Sequence, residues 1–183
     1  DPADSLQLTD GRRAAGDHIW LDRHCVGWEA ETGDAVGVWL DLGRSCQIDS
    51  VVLCTAVCPS AQVLPPSILC AAGESASRLT WAGALEAPRL AAGGSSHARR
   101  LRLPVPLAGT GRYVLVAALL PAPFFFADEL EVHGSELPAA RALETALGPL
   151  GRTFDLGSLP PQLPPRGGPG RYGVRCRIWK AMP

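Results

Sequence analysis

Val36-Gly37-Val38-Trp39-Leu40-Asp41-Leu42 is the stretch whose reading decides the fold class. Its apolar residues recur with period two: Val36, Val38, Leu40 and Leu42 fall on one face, Trp39 and Asp41 on the other. That pattern predicts a β-strand with one buried face, and Gly43 is expected to stop it. Working outward, Ile48 to Ala56 reads as a second, more fully apolar strand. Ser67 to Ala72 reads as a third, entered through Pro65-Pro66. Arg99 to Val105 sets Leu101 and Leu103 against Arg100 and Arg102. Gly111 to Leu120 is rich in Val and Leu. Glu129 to His133 places Leu130 and Val132 inward, with Glu129 and Glu131 outward. Short strands, frequent turn signals and little helical periodicity predict an all-β antiparallel sandwich or barrel.

The 183 residues carry a formal net charge of -1, which excludes a dominant electrostatic attraction to nucleic acid or anionic membrane. With 20 Gly and 17 Pro, the chain is interrupted too often for long helices. No apolar run is long enough for a membrane span: Val114 to Phe126 is broken by Pro121 and Pro123. The start at Asp1-Pro2 reads as a mature or trimmed terminus. Six cysteines, an even number, fit an oxidising compartment and a disulfide framework. They allow about 15 pairings, among which the sequence does not choose. Cys54 and Cys58 are too far apart for a zinc knuckle.

Composition shifts after Gly134. Residues 1–135 read as the folded module. Residues 136–183 read as a short helix over 137–147, a Pro/Gly linker over 159–170 and one more strand over 172–179. This tail is expected either to lead to another domain or partner, or to fold back on the module, tied there by Cys176.

A set of motifs now appears in order: Leu8-Thr9-Asp10-Gly11, Val26-Gly27-Trp28, Val38-Trp39-Leu40-Asp41-Leu42-Gly43, Ile48-Asp49-Ser50-Val51, Pro66-Ser67-Ile68-Leu69, Trp81, Gly111-Arg112-Tyr113-Val114 and Asp128-Glu129-Leu130-Glu131-Val132-His133-Gly134. The order resembles the galactose-binding-like, discoidin-type (coagulation-factor type C) superfamily and its bacterial carbohydrate-binding relatives, over about residues 5 to 134. The resemblance implies a jelly-roll β-sandwich with ligand loops at one end. It also implies attachment to a polysaccharide or glycan, as an accessory to a secreted or surface polysaccharide-active protein or an adjacent catalytic domain. There are departures. The turn Gly73 to Trp81 lacks the usual Asp-Gly, Leu115 stands where a second Arg is common, and the cysteines do not reproduce the single end-to-end bridge of discoidin-type members.

The resemblance further implies a structural Ca2+ held by Asp10 and Glu129, to which Asp17 adds a carboxylate; hard oxygen donors suit that ion. The alternative is that Asp10 caps the turn at Gly11 and Glu129 is a solvated strand residue. For a glycan, stacking on aromatic rings points to Phe124 and Phe125. His18, Trp20, His24, Arg89 and His97 are the candidate polar and aromatic partners in the loops. Neighbours alternate sides along an extended segment, so Phe124-Phe125-Phe126 cannot all point inward; the competing reading is that they plug the end of the sandwich. Trp28, Trp39 and Trp81 read as packing residues. The cluster of Asp17, His18, Asp22, His24 and Cys25 has no metal-site spacing. Gly73-Glu74-Ser75-Ala76-Ser77 is not a nucleophile elbow, and Gly168 to Gly173 follows a Pro-rich run instead of a strand. The reading is therefore a non-catalytic, extracellular carbohydrate-binding module. The alternative is a protein–protein assembly or adhesion module that works through its loops or tail.

Overall fold

The computed structural model describes residues 7–29, 34–90, 97–137, 153–155 and 175–180. Eight strands form one antiparallel sheet: β1 (Val26–Glu29), β2 (Ala35–Val57), β3 (Ser67–Ser75), β4 (Arg78–Leu85), β5 (Arg99–Leu119), β6 (Phe124–Glu136), β7 (Thr153–Asp155) and β8 (Arg175–Lys180). The order is β1-β6-β2-β5-β3-β4-β7, with β8 on β2. The expected helix and linker lie outside the described residues. The two short tail strands add to the sheet, β7 against β4 and β8 against the first half of β2. No helix among the described residues is long and apolar enough to cross a membrane.

Two long strands organise everything else. β2 and β5 pair along most of their length, from Ala35↔Leu119 to Val57↔Arg99, with a register shift between Asp41 and Cys46. Their partners change across that shift. The second half of β2 takes β6, and the second half of β5 takes β3. Both halves nevertheless feed one core: Val38 and Leu40 before the shift, Val51 and Leu53 after it, together with Ile68, Val105 and Leu130. The predicted alternation around Trp39 holds, since Val36, Val38 and Leu40 are buried.

Gly43 does not stop the strand; it bends it. Its φ of 79° lies in the left-handed region open to glycine. The Asp41 carboxylate accepts the Gly43 amide at 2.8 Å. The same carboxylate is gripped by the Arg112 fork, Nε at 2.7 Å and an Nη at 2.8 Å. The Asp-Leu-Gly and Gly-Arg-Tyr motifs therefore meet across β2 and β5 to fix the bend. A bidentate, half-exposed pair is worth about 1 kcal/mol. Arg112→Lys loses the fork and is expected to lower stability by roughly that amount in urea unfolding.

Arg99–Val105 and Gly111–Leu120 are one strand, not two. Pro104 and Pro106 are exposed within it, opposite Val52 and Ser50. Along that half β5 hydrogen-bonds only to β2 among the described residues, so its other side is an edge, where prolines are tolerated and blunt further pairing. The segment after Gly73 reads as a turn in the sequence but forms the β3–β4 hairpin. Ala82 and Gly83 hide its alternation. Gly83 is needed because a Cβ there would sit 2.4 Å from the Pro106 carbonyl.

Candidate functional site

The first half of β6 contains one residue too many. Cys54 pairs with Glu129 but Thr55 pairs with Ala127, so Asp128 is bulged out of the ladder. The bulge turns two successive acids, Asp128 and Glu129, away from the face that Ala127 and Leu130 give to the core. Residues 8–16 cover them. The Leu130 amide donates to the Leu8 carbonyl at 2.7 Å, and the Ala14 amide donates to Asp128 Oδ2 at 2.8 Å. Arg100, on β5, donates to the same Oδ2 and to the Ala14 carbonyl. Asp128 is fully buried. This ion pair ties the early loop to the sheet.

Beyond that latch the loop turns through a 3-10 turn, Ile19–Leu21, and carries an aromatic group to the end of the sheet. Trp20 lies 5.7 Å from Phe126 and 5.1 Å from the His18 ring, edge-on to the latter. Phe124 and Phe126 pack with Trp20 against Cys58, Val63 and Ala98. His97 is exposed immediately before Ala98. Leu21, at 80% exposure, stands at the tip of the turn.

Four of the residues selected from sequence therefore gather at one end: His18, Trp20, Phe124 and, beside Ala98, His97. Phe125 does not join them. It is 3% exposed and stacks on Trp28 at 5.0 Å inside the core, as strand alternation requires of the middle residue of three. The same alternation should have named Phe126, which shares the outer face with Phe124. His24 serves the loop itself. Its Nδ1 and backbone amide both meet Asp22 Oδ1 at 2.9 Å, and Asp22 Oδ2 accepts the Ala15 amide. The His24 and Ala15 amides hold the Asp22 carboxyl down to about 2. Arg89 is exposed in the connection after β4, outside the aromatic cluster.

Of the carboxylates chosen for calcium, Asp10 and Glu129 lie near enough to interact electrostatically. Asp10 is exposed and caps its own turn, accepting the Arg12 amide at 2.8 Å. Asp17 is exposed farther along the loop. Glu129, read from sequence as an outward-facing calcium ligand, is buried, because the bulge and residues 8–13 cover it; its Oε2 has no hydrogen-bond partner. Burial, then the Asp10 charge, push its carboxyl up to about 7. An unpartnered buried oxygen on a carboxyl group that feels the Asp10 charge suits a cation. Among the described residues, however, no three His, Cys, Asp or Glu side chains form a metal-holding group, so Asp17 does not complete one. Arg13 already lines the cavity shared by Glu129 and Glu131. Its guanidinium pairs with Glu131, which also accepts from Arg102 at 2.9 Å. Burial raises the Glu131 carboxyl, but His133, Arg13 and Arg102 together outweigh it and hold it below the usual range.

The raised Glu129 fixes a sign. Its stabilising contribution is complete below the ordinary carboxyl pKa near 4.5 and is lost as pH rises through about 7. Two cavities bring solvent to the group. Allowing for that screening, Glu129→Gln is expected to raise stability at pH 8 by about 1–2 kcal/mol, roughly 3–6 °C in Tm, and to change little at pH 4. Thermal melts of both proteins across pH 4–8 check this.

The expected disulfide framework is absent among the described cysteines: Cys25, Cys46, Cys54, Cys58 and Cys70 are free thiols. They are distributed over different packing clusters. Cys70 lies in the main core, Cys25 beside Ile19 and Cys58 beside Val63. Burial pushes the thiols of Cys25 and Cys70 up to about 12, so both are protonated at neutral pH.

No family model matches the chain, and no curated protein matches it. Solved structures similar to it include the C-terminal domain of a chitobiase from Bacteroides fragilis, with a TM-score of 0.42 and 15% identity over 57% of this chain. The match spans 66% of that domain, just under two thirds. CpGH89CBM32-6 of Clostridium perfringens has a TM-score of 0.43 and 10% identity, over 74% of this chain and 88% of its own.

Proposed function

We propose that this chain is a non-catalytic carbohydrate-binding module, with its sheet folded over one core as a jelly roll and its glycan site at the end that carries Trp20. The observation that supports this is the convergence of Trp20, His18, Phe124 and Phe126 where the loop of residues 14–25 meets the start of β6. Aromatic faces take the C–H faces of sugar rings, and imidazoles such as His18 and His97 supply hydrogen bonds to hydroxyls. Phe124 and Phe126 back the Trp20 ring from the sheet, which limits the ordering cost on binding. In this reading the module is extracellular or surface-bound and raises the local concentration of polysaccharide for an attached catalytic domain.

Affinity electrophoresis against a panel of neutral polysaccharides tests the proposal. Retardation by at least one is expected. A folded protein that none retards overturns it and leaves the assembly reading, in which the exposed Leu21 tip contacts a protein.

A further inference from the structure

We infer that β8 exchanges between copies of this chain: the edge of β2 from Val36 to Asp41 accepts one added strand, and in trans that strand is the β8 of a second copy. β2 changes neighbours at its bend. From Cys46 onward, β6 lies on the side opposite β5. Before the bend that side is taken by β8, in register from Val36↔Lys180 to Asp41↔Arg175. Among the described residues this is the one ladder that joins β8 to the sheet, and no strand pairs with its far side. A six-residue ladder at a sheet edge opens at lower cost than the core strands.

The edge it leaves is unguarded. Val36–Asp41 has neither proline nor lysine, whereas the edge side of β5 carries Pro104 and Pro106. An edge of this kind recruits a strand. The register defines the chemistry of the strand that fits. Arg175 stands opposite Asp41, Cys176 opposite Leu40 and Ile178 opposite Val38. Opposed residues of an antiparallel pair share one face. The fitting strand therefore offers a cation opposite the carboxylate and apolar residues opposite the buried Val38 and Leu40. The β8 of any copy meets these requirements equally.

The chain permits both pairings. In this half of the sheet the order is β7-β4-β3-β5-β2-β8, so the two tail strands sit at opposite edges, about 24 Å apart at five strand spacings. Nineteen residues, 156–174, lie between them in sequence, and a chain of that length reaches at most about 65 Å. That is enough to cross the sheet within one copy and enough to reach a neighbour. With identical ladders, concentration decides between them. A connection of this length gives a copy's own β8 an effective concentration on the order of 1 mM, so exchange becomes substantial near that protein concentration. Reciprocal exchange closes a two-fold dimer and leaves no acceptor edge open. The aromatic end at Trp20 takes no part in the ladder, so the inference stands or falls independently of the polysaccharide reading.

The test mixes two single variants of the full chain, Trp39→Cys and Arg177→Cys. The two positions are directly opposed across the ladder, within disulfide range. In a mixture of single variants only exchange brings the two new thiols together. The mixture is equilibrated, oxidised and read by peptide mass spectrometry. The 39–177 bridge between copies is expected to rise more than tenfold in yield from about 10 µM to about 1 mM protein. Ile178→Asp, added to the Arg177→Cys copy, is expected to abolish it. The double variant Trp39→Cys/Arg177→Cys is expected to bridge within one copy at the lower concentration. Sedimentation velocity of the unsubstituted chain over the same range covers the case in which Trp39→Cys unfolds, and a growing dimer fraction is expected. Absence of the bridge between copies at the higher concentration, while the double variant closes, overturns the inference. A folded double variant that does not close also overturns it, as does an unsubstituted chain that stays monomeric throughout. A dimer that Ile178→Asp leaves intact joins the copies through other surfaces and overturns it as well.

Discussion

Asp128→Ala is expected to lower stability by about 3–5 kcal/mol, on the order of 10 °C or more in Tm for a chain of this size. Asp128 is fully buried, and its Oδ2 accepts both the Ala14 amide and the Arg100 guanidinium. Deleting the carboxylate leaves a backbone N–H and a largely buried cation without an acceptor. The cost is set by those stranded partners more than by the pair's own net worth. Asp128→Asn keeps a carbonyl and should lose less. The double variant Asp128→Ala/Arg100→Met removes both charges and should be more stable than the two single losses summed. Urea unfolding measures each, and hydrogen exchange locates the damage, with faster exchange expected first in residues 13–23. A loss below about 1 kcal/mol for Asp128→Ala would show that the latch does not hold the loop.

That latch marks the boundary of what could be read from the sequence. The period-two run around Trp39 placed Val36, Val38 and Leu40 in the core because alternation depends only on local backbone geometry. Gly134 is legible afterwards: a Cβ there would lie 2.0 Å from the Gln47 carbonyl, so the glycine after Val132-His133 in β6 follows from strand approach. Bulges are the opposite case. An extra residue at Asp128 leaves no mark in local composition, and it reverses the expected exposure of Glu129. Gly43 misled for the same reason: a glycine at positive φ both ends strands and bends them, and only the Arg112 grip on Asp41 decides which. At the aromatic end, the sequence supplied Trp20, His18 and Phe124 by residue type. It could not exclude Arg89 or His24, whose positions depend on where separate loops lie.

Trp20→Ala is expected to weaken retention by any polysaccharide that holds the parent protein by about thirtyfold or more, the loss typical of a central aromatic contact. Trp20 is half-buried, so some loss of stability accompanies the change, and binding must be read on protein shown to be folded. Two further variants separate contact from scaffold. Trp20→Phe keeps a ring between His18 and Phe126 and should retain part of the binding. Phe125→Leu loosens the stack on Trp28 inside the core, so it should lower Tm while leaving retention intact. His18→Ala removes the edge contact and a hydrogen-bonding group, and should fall between them. If Trp20→Ala is retained as strongly as the parent on every polysaccharide that binds it, the sugar is held elsewhere, and the loop of residues 14–25 is a structural cover instead of a recognition surface.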